Sequence, residues 1–131
     1  MNANSKVATL HVSQTEQPGW RPTMGTDQKI YWYLFEGGEG GGGFHGKKTE
    51  PRVEFSVDLD AGREYRMDEV RFGGNDGQLT FEKSKGSAKR VVIGDKNDAA
   101  LEAYYLIVVA RQVNGVDIKI PCDPMIKNDP R

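Results

Sequence analysis

Apolar and polar residues alternate along much of the chain, and this period of two is typical of β-strands that bury one face. Residues 6–13 alternate in this way, and residues 52–59 repeat the pattern. Both segments therefore predict half-buried strands. Their more apolar faces carry Ala8, Leu10 and Val12 in the first segment and Val53, Phe55, Val57 and Leu59 in the second.

Two further segments are richer in apolar residues than a half-buried strand requires. Residues 29–36 are dense in aromatic and branched side chains, which predicts a strand buried on both faces. Residues 103–112 are the best candidate for a central strand. Asn114-Gly115 follows and predicts a type I′ hairpin, because both central residues of that turn take positive φ. The last strand is then expected to pair antiparallel with the central one, and Pro121 is expected to end the regular pairing.

The middle of the chain predicts shorter elements. Residues 65–72 shift phase partway along, which predicts a β-bulge near Asp68 or Glu69. The glycine-rich residues 73–77 are typical of a turn, so residues 78–83 are expected to pair with the preceding strand in a hairpin. Two more segments follow: a short strand at 90–94, and a turn or single helical turn at 95–102.

These segments number about eight short strands, and no stretch of ten or more residues has helical periodicity. The pattern predicts an all-β fold, an antiparallel β-sandwich of immunoglobulin-like type, with a closed barrel as the alternative. The chain has 131 residues, the length of one domain. We therefore expect residues 1–131 to form a single β-sandwich domain.

Composition limits the classes of binding partner and the cellular compartment that we expect for the protein. The formal net charge is -1 with 28% charged residues, so no strong field favours nucleic acid, a membrane or an acidic substrate. The longest apolar run, residues 103–110, is far shorter than the ~20 residues that span a bilayer, and the N-terminus lacks signal-peptide features. We therefore expect a cytoplasmic protein. The one cysteine, Cys122, excludes an internal disulfide and is interpreted as a small buried side chain.

The most biased stretch is the glycine-rich segment 36–51. Residues 41–47 have the spacing G-x-x-x-x-G-K of a phosphate-binding loop. Lys48, however, stands where such a loop has Ser or Thr, and a strand pattern follows instead of a helix whose N-terminus could hold phosphate. The segment is therefore interpreted as a flexible hairpin loop.

Signals for other chemistry are weak. His11, His45 and Cys122 do not have the spacing of metal ligands, and no serine or aspartate lies in a protease signature. The aromatic residues at 31–35 could stack bases, but the charge around them is mixed, so we interpret them as core packing. No cofactor, metal or nucleic-acid partner is predicted.

The C-terminal residues 118–131 contain two labile links, Asp123-Pro124 and Asp129-Pro130. Proline has no backbone N–H, so the succinimide route open to most aspartates is blocked. The carboxylate can instead attack its own carbonyl carbon, giving a cyclic anhydride with proline as the leaving amine, or it can activate a water molecule. Either route needs a proton on the proline nitrogen, which a neighbouring acid can supply. Since most Asp-Pro bonds in turns are inert, the dipeptide alone does not predict cleavage.

The same region resembles a known family. The sequences YYLIVVARQ and PCDPMIKNDP, the Asn-Gly hairpin between them and TEPRVEF upstream are similar to the DP-EP family, small bacterial domains named for Asp-Pro and Glu-Pro motifs. The resemblance covers most of the chain from about residue 28. It implies a β-sandwich with self-cleaving endopeptidase activity at an Asp-Pro bond near the C-terminus. It also implies that the released peptide stays bound and that subunits can assemble.

On the family pattern the scissile bond is Asp123-Pro124, with Asp123 as nucleophile or water activator and Pro124 as leaving amine. Residues 124–131 are then the released peptide, which could stay paired as an edge strand. Glu50-Pro51 matches the other half of the family name.

Three carboxylates are candidates for supplying the proton or activating the water: Asp129, Asp117 and Glu50. The family's chemistry can also join the new aspartate to a lysine, yet the facing strand AYYLIVV contains none. Lys119 is expected to alternate away from the site, and Lys89 and Lys96 have no predicted position. Covalent cross-linking is therefore not expected.

Two functions stay open at this point. The first is a self-cleaving protein that cuts its own Asp123-Pro124 bond, with its own C-terminal peptide as partner and a homo-oligomer as a further assembly. The second is a non-catalytic β-sandwich that binds a protein partner through its faces, its edges or the glycine-rich loop. In that case residues 124–131 are simply a last strand or tail.

Overall fold

The computed structural model describes residues 5–37, 53–73, 79–82, 86–95 and 104–123. Within these ranges the chain forms nine β-strands and no helix, so the all-β prediction is confirmed. It follows that no described segment is a helix long and apolar enough to cross a membrane. The strands are β1 (Ser5–Ser13), β2 (Arg21–Met24), β3 (Ile30–Gly37), β4 (Val53–Asp60), β5 (Tyr65–Gly73), β6 (Leu79–Phe81), β7 (Arg90–Asp95), β8 (Tyr104–Val113) and β9 (Val116–Cys122).

The strands form two sheets, which together give a β-sandwich-like fold. The larger sheet has the order β2-β3-β1-β4-β7-β6, and the smaller has the order β5-β8-β9. The described pairings are antiparallel with one exception, because β1 and β4 run parallel. The expectation of a purely antiparallel sandwich is therefore wrong at this pair. Alternation along a strand shows which face is buried and carries no information about the direction of its neighbour.

The core lies between the sheets and is built from the alternating faces of the strands. The predicted apolar residues Ala8, Leu10 and Val12 of β1 and Phe55, Val57 and Leu59 of β4 are buried, which confirms the assignment of these strands. In β3 only the side chains of Tyr31, Tyr33 and Phe35 are fully buried, whereas Trp32 and Leu34 are half-buried. The prediction that this strand is buried on both faces is therefore wrong, since its outer face carries no second layer in the described residues.

The predicted bulge in β5 is confirmed, because the register of β5 on β8 shifts between Met67 and Glu69. The predicted hairpin between β5 and β6 is wrong. β5 pairs with β8 in the smaller sheet, while β6 pairs with β7 in the larger one through partners such as Phe81 and Ile93. A glycine-rich turn allows a reversal without requiring it, and β8, with ten residues against three in β6, offers β5 more backbone partners.

The β8–β9 hairpin is confirmed. Asn114 and Gly115 have φ of 49° and 78°, as a type I′ turn requires. The pairing then continues through Pro121, which lies opposite Val108, so the expectation that proline ends the pairing is wrong. The Pro121 carbonyl points away from β8 and accepts a hydrogen bond from Thr23, and its nitrogen faces the same side. The missing N–H is therefore on the outer edge of β9, where the β8 ladder does not need it.

Three predicted connections lie outside the described residues. They are the glycine-rich loop from residue 38 onward, the turn at 74–77, and residues 96–102. The strands on either side of each connection are described, so the topology above does not depend on them.

Lys89, in the turn before β7, ties the two sheets together on one side. Its ammonium group donates to the carbonyl oxygens of Ala61, Gly62 and Tyr65, at 3.4, 2.9 and 2.6 Å. The neighbouring Ala88 carbonyl accepts from the Met67 amide of β5 at 2.6 Å. We call the Lys89 ammonium group, together with the three carbonyls that accept from it, the Lys89 clamp. It fixes the link between β4 and β5 against the start of β7.

Candidate functional site

Asp123 follows directly on β9, and its backbone is held by two side chains from the larger sheet. The Tyr33 hydroxyl donates to the Asp123 carbonyl oxygen at 3.0 Å and accepts from the Asp123 amide, with 3.3 Å between nitrogen and oxygen. The Arg21 guanidinium donates to the same carbonyl oxygen over a longer 3.4 Å. The carbonyl of the predicted scissile bond therefore faces a phenol and a cation.

Strand register explains why these two side chains meet. Arg21 of β2 and Tyr33 of β3 are directly opposite each other in the antiparallel pair. The Tyr33 ring is buried and packs edge-on against Phe35, with centroids 6.0 Å apart, and Phe35 packs in the same way on Tyr105 at 6.2 Å. Aromatic packing thus fixes the ring, while its hydroxyl extends to the end of β9.

The electrostatics keep the Tyr33 hydroxyl able to donate. Burial raises the pKa of Tyr33 above its usual value, against the opposing effects of the Asp123 amide hydrogen bond and the Arg21 charge. At neutral pH the phenol is therefore protonated. A donor of this kind can stabilise negative charge that develops on a carbonyl oxygen.

The outer edge of β9 lies along β2, and side chains of β2 together with the amide and hydroxyl of Thr26 after it satisfy its backbone groups. Thr23 donates to the Pro121 carbonyl at 2.7 Å. Further along, the Thr26 amide donates to the Lys119 carbonyl at 3.0 Å, and the Thr26 hydroxyl accepts from the Lys119 amide at 2.9 Å. We call this row of contacts, together with that of Arg21, the β2–β9 seam. It occupies the outward-facing backbone groups of Lys119 and Pro121 on β9 and the carbonyl of Asp123 directly after it.

The other residues predicted from the Asp-Pro pattern are not brought together by the described structure. Pro124, Asp129 and Glu50 lie outside the described residues, so their roles stay predictions. Asp117 is six residues before Asp123 on an extended strand, roughly 20 Å away. It forms a bidentate pair with Arg66 at 3.2 and 2.6 Å. The Arg66 hydrogen bonds lower the Asp117 pKa, so this carboxyl is ionised and does not suit the role of proton donor.

Two of the lysines considered for cross-linking are engaged elsewhere. The Lys119 ammonium lies 2.8 Å from the Asp68 carboxylate. The expectation that Lys119 alternates away from Asp123 is wrong, since residues four apart on a strand share a face, but the ion pair with Asp68 engages the ammonium. Lys89 is held by three carbonyls in the Lys89 clamp. Lys96 lies outside the described residues. The cation that contacts Asp123 is Arg21, and a guanidinium does not accept acyl groups as a neutral amine does.

Cys122, the neighbour of Asp123, is fully buried, which confirms its interpretation as a small core side chain. Burial raises the pKa of its thiol, so the reactive thiolate is suppressed. The cysteine therefore anchors the end of β9 in the core and is a poor nucleophile for the adjacent bond.

A second polar cluster surrounds Arg111 near the hairpin end of β8. Arg111 donates to the Tyr31 hydroxyl at 3.0 Å, and that hydroxyl donates to Asp27 at 2.9 Å. The guanidinium also lies 5.9 and 5.8 Å from the ring centres of Tyr31 and Tyr65. Burial raises the pKa of Asp27, but the hydrogen bonds from Tyr31 and from the Lys29 amide outweigh it and the net shift is downward. This cluster fixes the β2–β3 turn.

A third cluster lies on the outer face of the larger sheet. The imidazole of His11 has one nitrogen 3.1 Å from the Asp60 carboxylate and the other against that of Glu36, without hydrogen-bond alignment to Glu36. The ring of Trp20 lies 5.8 Å from that of His11. Within the described ranges, no group of three or more His, Cys, Asp or Glu side chains is arranged to hold a metal ion.

Comparison of the chain with protein-family models, curated proteins and solved structures finds no match. The resemblance to the DP-EP family therefore stays a hypothesis. The evidence for a function therefore comes from the hydrogen bonds that Tyr33 and Arg21 make with Asp123.

The sequence points to Asp123 but not to the side chains that hold it. Tyr33 lies in an aromatic run that the sequence presents as core packing, and Arg21 lies in a segment without recognisable periodicity. One signal was present: a buried tyrosine needs a hydrogen-bond partner for its hydroxyl, so an inward-facing tyrosine directs attention to a polar contact at its tip.

Proposed function

We propose that this protein is a self-cleaving β-sandwich that hydrolyses its own Asp123-Pro124 bond. The observation that supports the proposal is the pair of donors on the Asp123 carbonyl oxygen, Tyr33 at 3.0 Å and Arg21 at 3.4 Å. The carbonyl of an ordinary exposed turn would be solvated by water alone. Here a protonated phenol and a cation face the oxygen that must become negative during acyl transfer.

The chemistry that we propose begins with the Asp123 carboxyl group. One of its oxygens attacks the Asp123 carbonyl carbon and closes a five-membered ring. The resulting tetrahedral oxyanion is stabilised by Tyr33 and Arg21. The carbon–nitrogen bond to Pro124 then breaks, the nitrogen takes up a proton, and a cyclic anhydride is left on Asp123. Water opens the anhydride to two carboxyl groups, so the net reaction is hydrolysis of one peptide bond.

Direct attack by a water molecule that Asp123 activates gives the same products. Asp123 is exposed, so water has access to the site. In both routes the proton for the proline nitrogen needs a donor, and we propose Asp129 or Glu50 for that role. In both routes the oxyanion forms on the same atom, so the two donors act in the same way.

The size of the donor effect follows from the chemistry. Removing one preorganised donor from an oxyanion typically slows acyl transfer by about 10²–10³. Tyr33 is the better placed donor, because its hydrogen bond is shorter and its ring is fixed by packing. Arg21 is exposed and its contact is longer, so we expect its removal to have a smaller effect than that of Tyr33.

The proposal carries further expectations that derive from the DP-EP resemblance. The fragment 124–131 stays bound to the domain after cleavage by strand pairing. Residues 1–131 form one domain of immunoglobulin-like type in the cytoplasm, and copies of the domain can assemble into a homo-oligomer.

Intact-mass measurement during incubation at neutral pH tests the proposal. The wild-type chain is expected to split between residues 123 and 124, Asp123→Ala is expected to stay whole, and Tyr33→Phe is expected to split about 10²-fold more slowly. Pro130→Ala is the matched control for the second Asp-Pro bond, since it removes that dipeptide and keeps both Asp123-Pro124 and the Asp129 carboxyl group. A wild-type mass that stays constant over days would refute self-cleavage.

The alternative is a protein-binding domain without catalysis, and one observation favours it. Met24 and Ile30 face each other across β2 and β3 on the outer face of the larger sheet, with 54% and 52% of their surface exposed. Exposed apolar side chains at the edge of a sheet are typical of docking surfaces. A chain that stays whole but loses a protein partner on Met24→Ser would support this alternative.

A further inference from the structure

The β2–β9 seam has a regular spacing next to the proposed cleavage site. Arg21 and Thr23 are two residues apart on β2, so their side chains leave the same face of the strand. Their acceptors, the carbonyls of Asp123 and Pro121, are also two residues apart and point to the same side of β9. The spacing of the two donor side chains on β2 therefore matches the spacing of the two carbonyl acceptors at the end of β9.

Thr23 makes the firmer of these two contacts. Its hydrogen bond to the Pro121 carbonyl is 2.7 Å long and partly buried, whereas the Arg21 contact is 3.4 Å and exposed. Pro121 has no N–H, so this carbonyl is its one backbone hydrogen-bonding group. The described pairing with β8 ends one residue later at Cys122. Thr23 is thus the last strong contact of the seam before the chain reaches Asp123.

We propose that Thr23 is a positioning residue that holds the end of β9 so that the Asp123 carbonyl meets Tyr33 and Arg21, and that this contact selects Asp123-Pro124 for cleavage. The inference rests on the proposed self-cleavage and extends it to the choice between two identical dipeptides. Thr23 touches neither reacting group. It acts through Pro121, and a displacement of about 1 Å at a reacting centre can slow a reaction by about 10²-fold.

Variants of Thr23 in the full-length chain test this role. Thr23→Val removes the hydroxyl and keeps the shape, and Thr23→Ser restores the hydroxyl. Thr26→Val is the matched control, because it removes a hydroxyl from the same seam beside Lys119, farther from Asp123. The rate of cleavage at Asp123-Pro124 is measured by mass spectrometry and compared with the rate at Asp129-Pro130 in the same molecules.

We expect Thr23→Val to lower the cleavage rate at Asp123-Pro124 by roughly ten- to hundredfold relative to Asp129-Pro130. Thr23→Ser is expected to stay near wild type, and Thr26→Val to lose clearly less than Thr23→Val. In concentrated urea at mildly acidic pH, all four chains are expected to cut the two bonds at one common ratio, since positioning exists only in the folded state. A common ratio shows that the intrinsic lability of the bonds is unchanged.

The outcomes distinguish the failure of the proposed self-cleavage from the failure of the proposed positioning role of Thr23. A wild-type chain that does not cut itself overturns the proposed function and this inference with it. A wild-type chain that cuts itself while Thr23→Val cuts at the same rate overturns the positioning role alone. Equal slowing in Thr23→Val and Thr26→Val, or a Thr23→Ser chain as slow as Thr23→Val, also overturns it, because the effect would then come from seam stability or from the methyl group.

Discussion

The Lys89 clamp gives the sharpest stability prediction. The Lys89 ammonium group donates to two carbonyls on the link between β4 and β5 and to that of Tyr65, the first residue of β5. The turn that carries Lys89 also contacts β5 through the Ala88 carbonyl. Lys89→Met keeps most of the aliphatic stem and removes the three donors. We expect this change to lower the free energy of unfolding without changing the topology of the sheets.

The magnitude follows from the three distances. The contacts at 2.6 and 2.9 Å are full hydrogen bonds, while that at 3.4 Å is long and contributes little. A hydrogen bond that involves a charged group contributes about 1.5–3 kcal/mol. Part of the sum of two is regained in the variant, because water solvates the exposed carbonyl and the side chain recovers rotamer freedom of up to about 2 kcal/mol. We therefore expect a net loss of about 2 kcal/mol.

Urea unfolding followed by circular dichroism measures this loss, with an unchanged slope as evidence that the folded state stays compact. The neighbouring Arg90→Met is the matched control. Arg90 makes a well-formed bidentate pair with Asp58, but water reaches both side chains, which are 50% and 37% exposed, so its removal is expected to cost about 0.2–1 kcal/mol. A Lys89→Met chain no less stable than Arg90→Met would refute the reasoning that partly buried carbonyls make this cation special.

Three further predictions concern other parts of the chain. The Cys122 thiol, whose pKa burial raises, is expected to resist an alkylating reagent in the folded protein and to react at once in denaturant; fast labelling of the folded chain would contradict its burial. Because the net effect of its surroundings lowers the Asp27 pKa, the folded state binds fewer protons than the unfolded one, so this stabilisation is present above about pH 4 and is lost as pH falls through the folded value. Asp27→Asn should therefore lower the urea midpoint at neutral pH and flatten its acid limb, and a parallel shift at all pH values would argue against this. Gly115→Ala, at a φ of 78°, is expected to cost about 1–2 kcal/mol by thermal unfolding, and a neutral result would contradict the positive-φ turn.

Local signals predicted local structure well in this chain. Asn114-Gly115 marked its hairpin because only a few residues tolerate positive φ at both central positions. The bulge between Met67 and Glu69 was visible as a shift of phase, since an extra residue moves every following side chain to the other face. Both features depend on neighbouring residues, and alternation reports them directly.

Pairings between distant segments were not readable in the same way. β5 pairs with β8, some forty residues further on. β8 has ten residues and β6 has three, so β8 can pair with more of the nine residues of β5 than a hairpin with β6 could. β2 was missed because its four residues contain a proline and only one half-buried side chain. Its position is set by pairing with β3 and by the contacts that its threonine and arginine make with β9.

The candidate site shows the same division. The lability of the Asp123-Pro124 bond depends on two adjacent residues, so cleavage there could be proposed from the sequence. The partners Tyr33 and Arg21 are separated from Asp123 by 90 and 102 positions, so only the folded chain brings them together. A buried tyrosine is a candidate partner because its hydroxyl needs a hydrogen bond. Which tyrosine hydroxyl contacts Asp123 depends on the order and register of the strands.

The β2–β9 seam has a consequence for the behaviour of the protein at high concentration. A strand at the edge of a sheet normally presents free amide and carbonyl groups to which another chain can add. Along β9 those groups are occupied by Thr26 and Thr23, and Pro121 offers no amide at all. This part of the edge, from Lys119 to Pro121, is therefore covered against the addition of a strand from another copy. On the proposed self-cleavage, removal of the tail after Asp123 would leave these contacts in place, so this edge would stay covered after the cut.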